Sequence, residues 1–372
     1  MKIDTPNIVS SVSSSERLPW LDFASGVMIL WMIVYHALQQ AWNFEMNGLW
    51  DVTDLSLLPE GTKAFINSEG KLEVLNPCIV FPYLHFFMPW FFYKSGQFFK
   101  KQSVMDLWRK DWKKLIKTFI FWSLIGYILY IVFGVLNDSL TLRSATYSVL
   151  RGCFLKGFVQ LNGPMWFLST LFIIRFFANI LLPHRTDKFL WLRLGAIVFL
   201  GYIIAYLAYR FNHRLLPYWV ANGAAGLSFF ALGYAFREYE QRWWIILPCT
   251  IVYILGCFKG FAIVDMFDNQ LLSGEYLLWI PISFCCLVVF NALCRYLYQK
   301  INFKFIEIIG INAMPIFATH LLLVAIINWV AVFFMLEISQ WVLFCMIICS
   351  YVMFLPLMCK FVNSTHYKKI VC

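Results

Sequence analysis

Charge is what this sequence has least of. Only 13% of its 372 residues are Asp, Glu, Lys or Arg, 61% are hydrophobic, and the mean hydropathy is +0.70. A soluble domain cannot hide that much apolar surface behind so little polar surface, so the composition excludes a water-soluble globule and points to the bilayer. Alternation is missing as well. The apolar runs are long and lack the in-out pattern of barrel strands, and lipid offers no partner for a free backbone N–H or C=O, which leaves α-helices. No cleavable leader is expected, because the segment before Pro19 is polar and the first apolar run is long enough to remain as a span. An internal repeat is lacking too, and that lack counts against the many transporter folds built from one.

Metal-site spacing is absent from the eleven cysteines. Most sit within apolar runs and read as core, and the close sets Cys285 with Cys286 and Cys345 with Cys349 have no other ligands at metal-binding spacing, so no metal is expected. Cys78 and Cys153 both fall on the outer side of the topology below, where an oxidising compartment would permit a disulfide.

What the sequence does have is ten apolar runs, near residues 20 to 42, 79 to 99, 115 to 136, 165 to 183, 189 to 209, 217 to 236, 243 to 263, 275 to 298, 306 to 335 and 338 to 361. Each approaches the roughly 20 residues a spanning helix needs. The expected fold is all-α, a polytopic membrane protein with about ten transmembrane helices in one bundle. A segment at 1–19 precedes the transmembrane domain at 20–361, and a tail at 362–372 follows it. With both ends in the cytoplasm of a multi-pass cell-membrane protein, 20 of the 30 Lys and Arg residues fall on the inner side and 7 in outer loops, as positive-inside requires.

Lys100, Lys101, Arg109, Lys110, Lys113, Lys114 and Lys117 carry most of the net charge of +10. The topology therefore accounts for the basic character without a nucleic-acid partner. The same cluster complements phosphates, and Lys110, Lys113 and Lys114 are candidates for a phosphate-rich donor.

Ionisable groups inside spans are costly and usually face a bundle interior or a water-filled cavity. On the first run Asp22, Ser25 and His36 fall close to one stripe at helical spacing, with Gln39 and Gln40 beyond. The second run holds His85, Pro89, Lys94 and Ser95, which reads as a kinked, polar-lined helix. Arg175 and His320 complete the set. An intramembrane histidine often only braces helix packing. Three in separate spans suit either general-base transfer to a hydroxyl or proton-coupled transport.

Residues 17–26 (RLPWLDFASG), continuing to Val34, Tyr35 and His36, resemble the opening signature of the integral-membrane acyltransferase-3 family. His85 to Gly96, Gly163 to Leu168, and Gly310 to His320 with Asn312 are similar to later family segments, in the same order and across nearly the whole chain. The resemblance implies transfer of an acyl group, commonly acetyl, from acyl-CoA as donor substrate with no permanently bound cofactor. The implied acceptor is a hydroxyl of an extracytoplasmic or lipid-linked glycan. It implies His36 as general base, Arg17 and Asp22 organising the inner half of the site, and His85, Ser95, Trp166, Asn312 and His320 lining or bracing a cavity. Ser25 departs from the pattern, since the family commonly has Arg or Lys there, and Lys94 or Arg175 are the cations available from neighbouring helices. The rival readings are a proton-coupled transporter or flippase for a glycan or lipid intermediate, and an inactive scaffold.

Overall fold

The computed structural model describes residues 18–42, 81–136, 162–211, 217–267, 269–301, 303–334 and 339–364, with 143, 146, 147, 150–152 and 157. Arg17, Cys78 and Cys153 lie outside the described residues, as do the tail from 365 and all but the end of the segment expected at 1–19. Every one of the ten apolar runs contains helix. The helices are α1 (Pro19–Trp42), α2 (Phe87–Gln97), α3 (Val104–Asp111), α4 (Lys117–Leu136), α5 (Trp166–Leu181), α6 (Leu190–Arg210) and α7 (Tyr218–Phe236). They are followed by α8 (Trp243–Lys259), α9 (Tyr276–Lys300), α10 (Lys304–Ile311), α11 (Ala313–Phe333) and α12 (Gln340–Val362). Seven helical stretches among the described residues are long and apolar enough to cross a bilayer unaided. This is an all-α polytopic membrane protein.

Three local features differ from the sequence expectation. The second run is a short 3-10 turn at Pro82–Leu84 followed by α2, in which Pro89 is the third residue. A proline in the first turn has no intrahelical bond to break, so it starts this helix and does not kink it. The basic stretch between the second and third apolar runs is itself helical from Val104 on, with Lys100 and Lys101 in the connection before it. Ser103 caps α3 by accepting the Asp106 N–H, and a π-turn at Trp112–Ile116 joins α3 to α4. Between α8 and α9 lies an antiparallel hairpin, β1 (Ile263–Asp265) with β2 (Gln270–Ser273).

α1 runs through the middle of the bundle, against α2, α9, α10, α11 and α12. Its crossing with α10 is closer than side chains allow. A Cβ added at Gly310 would overlap the carbonyl oxygen of Asp22, and one added at Gly26 would overlap that of Ile306. α2 and α7 cross in the same way, Gly96 against the Phe230 carbonyl and Gly233 against that of Tyr93. Without a hydrophobic driving force between helices in lipid, such small-residue crossings supply van der Waals contact. We predict that Gly310→Ala lowers the melting temperature of the detergent-solubilised protein by the equivalent of about 1–3 kcal/mol or more, the usual cost of overpacking. Gly195→Ala, where an added Cβ meets nothing within 4 Å, is the control and is expected to leave it unchanged or raised.

Candidate active site

The polar groups of α1 meet other helices at two depths. Near its C-terminal end a cavity of about 260 Å³ is lined by Tyr35, His36, Gln39, Gln40, Trp166 and Phe317, among others. His36 Nδ1 lies 3.2 Å from Gln39 Oε1. An amide oxygen only accepts, so Nδ1–H donates and Nε2 keeps its lone pair. The ring of His320 lies beside it, with centroids 4.9 Å apart. His320 Nδ1–H donates to the Phe317 carbonyl at 2.7 Å, and its backbone carbonyl accepts from Tyr351 OH. Its Nε2 is buried without a hydrogen-bond partner among the described residues. Among the described residues, two histidines thus present lone pairs without a hydrogen-bond donor within one small region.

His85 is elsewhere. Its Nδ1–H donates to the Pro82 carbonyl at 2.7 Å, its Nε2 is 3.4 Å from Ser283 Oγ, and its ring packs on Phe261. It closes the turn that precedes α2 and does not line the His36 cavity. Ser95 donates back to the Phe91 carbonyl at 2.8 Å. Asn312 joins α10 to α12, donating to the Ile308 carbonyl at 2.9 Å while its Oδ1 accepts from Asn363 at 3.2 Å. Of the residues expected on the cavity wall, Trp166 lines it and His320 backs it through the ring of His36.

Nearer the start of α1, Ser25 is fully buried and its hydroxyl donates to the Leu21 carbonyl at 2.6 Å. Its oxygen accepts from the Lys94 ammonium, which also lies 3.4 Å from the Leu21 carbonyl and 5.4 Å from the centre of the Trp90 ring. A cation from α2 therefore sits against the α1 position that departs from the family pattern. Asp22, 7% exposed, lies one turn before Ser25 on the same helix.

At the same end of the bundle a second cavity, of about 510 Å³, is lined by Lys100, Lys110, Lys114, Arg175 and Arg237, with Asp111 as the one carboxylate among the described residues that line it. Arg175 Nε donates to Asp111 Oδ2 at 2.8 Å, which orients the guanidinium. Lys113 is exposed on the π-turn and does not line this cavity. Lys100, Arg175 and Arg237 are the additions. Arg175 comes from α5 and Arg237 follows α7, and spacing within the basic run reveals neither.

α2 is held by a buried polar network. The Glu240 carboxylate, 5% exposed, accepts from Gln97 at 2.7 Å, Tyr93 OH at 2.9 Å and Asn291 at 3.1 Å. Asn291 Oδ1 in turn accepts from Trp90 Nε1 at 2.7 Å. Burial raises the Glu240 carboxyl above its ordinary range, and the donors around it oppose that rise. No group of three His, Cys, Asp or Glu among the described residues is arranged to hold a metal ion.

The fold defines a polytopic helical membrane protein with a histidine cavity and a separate cationic cavity. A family model described as an acyltransferase domain matches residues 18–359, nearly the whole chain, and the protein belongs to the acyltransferase-3 family. It is a membrane acyltransferase. No curated protein matches the chain, and no solved structure does.

Glu240→Leu leaves three buried donors unpaired, each costing about 1–3 kcal/mol. We therefore predict a large loss of thermal stability in detergent for Glu240→Leu and a clearly smaller one for Glu240→Gln, whose carbonyl oxygen still accepts.

Proposed function

We propose that the protein transfers an acyl group, acetyl in the simplest case, from acyl-CoA to a hydroxyl of an extracytoplasmic or lipid-linked glycan, with His36 as general base. The observation that carries this reading is the His36 Nε2 lone pair beside a cavity lined by amides and aromatic rings, in a chain of this family. Nε2 takes the hydroxyl proton as the oxygen attacks the thioester carbonyl carbon. The C–S bond breaks, and the imidazolium returns the proton to the departing thiolate. Gln39 keeps Nδ1 protonated and so aims the basic nitrogen. His320, held by Phe317 and Tyr351, backs the ring of His36.

The cationic cavity is the proposed seat of the phosphates of coenzyme A. Lys110 and Lys114 are joined there by Lys100, Arg175 and Arg237, and a set of guanidinium and ammonium groups from separate elements of the fold suits a polyphosphate better than any one basic helix face. The excess of basic residues on that side supports a cytoplasmic start of α1 and a cell-membrane location. Lys94, with Asp22 and Arg17, then organises the inner half of the site. Its ammonium supplies from α2 the positive charge that Ser25 lacks.

Membranes carrying the native chain, supplied with radiolabelled acetyl-CoA, are expected to label endogenous glycan. His36→Ala is expected to abolish the label while the protein still inserts and elutes as a single species in detergent. Full labelling by that variant overturns the base assignment, and native membranes that neither label glycan nor release CoA overturn the acyl-transfer reading in favour of transport or scaffolding.

Lys94→Met is expected to lower transfer about tenfold to a hundredfold, the range for losing a hydrogen bond to a charged group. Ser25→Arg alone crowds a fully buried site that already holds a cation, and is expected to reduce activity. The double variant Ser25→Arg/Lys94→Met is expected to recover part of the loss, which a purely steric role for Lys94 does not produce.

A further inference from the structure

Beside the network that holds α2 lies a further cavity, of about 160 Å³, where the start of α1, the connection between α7 and α8 and the last turns of α9 come together. Trp20, Glu240, Gln241, Asn291, Arg295 and Gln299 are among the residues that line it. Glu240 and Arg295 are the one carboxylate and the one cation among the described residues of this wall. The donors to Glu240, from Tyr93, Gln97 and Asn291, all converge on Oε2. Its Oε1 accepts no hydrogen bond among the described residues, although the residue is 95% buried.

Arg295 is in a similar condition. Its guanidinium carbon lies 4.3 Å from the centre of the Trp20 ring, and that contact holds the charge in place while using none of its N–H groups. Among the described residues these donors have no acceptor, and no ion pair joins Arg295 to Glu240, which feels its charge only through space. A simple anion placed here meets Arg295 but is repelled by Glu240. A simple cation meets the reverse. A group that carries an N–H-bearing cation and an anion a few bonds apart satisfies both walls at once. The helices that border the cavity expose Leu247 on α8 and Leu293 and Tyr296 on α9, which gives apolar surface for acyl chains and an aromatic ring of the kind found at headgroup level.

We propose that this cavity binds the headgroup of a phosphoethanolamine lipid, with the ammonium donating to Glu240 Oε1, the phosphate accepting from Arg295, and the acyl chains lying along α8 and α9. The site is separate from the His36 cavity and stands independently of the acyl-transfer reading.

The test titrates the purified full chain in detergent with short-chain phosphatidylethanolamine, phosphatidylcholine and phosphatidylglycerol, reading apparent Kd from the rise in melting temperature. Phosphatidylcholine keeps the phosphate and a cation without N–H groups, and phosphatidylglycerol keeps the phosphate alone. Phosphatidylethanolamine is expected to bind at least about tenfold more tightly than either, the range for a hydrogen bond to a charged group. Glu240→Gln keeps an oxygen for the three donors and removes the charge, so it is expected to abolish the preference over phosphatidylglycerol. Arg295→Gln is expected to weaken phosphatidylethanolamine about tenfold to a hundredfold. Native protein that binds the three lipids alike overturns the proposal, and that comparison needs no variant. A preference that survives Glu240→Gln, or an affinity unchanged by Arg295→Gln, overturns it as well. Glycerophosphoethanolamine, which has the headgroup and no chains, is expected to bind at least about tenfold more weakly than the lipid; equal binding assigns the cavity to a soluble zwitterion and overturns the lipid assignment.

Discussion

Everything described above hangs on two places where helix backbones touch. Where α1 crosses α10, Gly26 and Gly310 let each helix reach the other's carbonyl groups, and where α2 crosses α7, Gly96 and Gly233 do the same. These crossings sit beside the polar residues, not away from them. Asp22 supplies the carbonyl that Gly310 approaches, and Tyr93, next to Lys94, supplies the one that Gly233 approaches. Long polar side chains cannot be positioned within a fraction of an ångström by lipid-facing contacts alone. They are positioned here by helices that cannot slide, and the Glu240 network then locks the rotation of α2 about its axis. Buried polar networks of this kind are costly when half made and rigid when complete.

The division of labour along α1 follows from the same geometry. Ser25 and His36 are eleven residues apart on one helix, about 16 Å of rise. Lys94 meets the first and His320 meets the second. One continuous rod therefore links a cationic neighbourhood at one depth to an imidazole pair at another. Phe317 belongs to the wall of the His36 cavity and packs on Phe91, one turn before the Lys94 and Ser95 pair, and on Phe167. The space between the two depths is filled by aromatic rings, which move as rotamers more readily than helices move as bodies.

Much of this was legible in the sequence, for identifiable reasons. The ten apolar runs are long enough to be unambiguous, and the stripe of Asp22, Ser25 and His36 lies within one helix, where periodicity speaks directly. Contacts between helices were not legible to the same degree. Lys94 and Ser25 are 69 positions apart, and nothing in either run says that they touch. His85 reads from the sequence as lining or bracing the cavity, and its position in the turn before α2, where its Nδ1–H donates to the Pro82 carbonyl, is set by contacts between distant segments. Pro89 read as a kink because the preceding run is apolar enough to pass for helix. Asp265, a further residue on the wall of the His36 cavity, carries no such signal, because only the return of the β1–β2 hairpin into the bundle brings it there.

The shortness of α2 has a consequence for the solvent. Eleven residues rise about 16 Å, roughly half the 30 Å of a bilayer's hydrocarbon layer. Beyond its first turn the chain continues as a 3-10 turn with exposed Phe81 and Tyr83, not as helix. Backbone that is not helical is tolerated at depth only where protein or water satisfies it. α2 alone therefore does not cross the hydrocarbon layer, and the non-helical chain described before it needs protein or water as partners for its backbone groups.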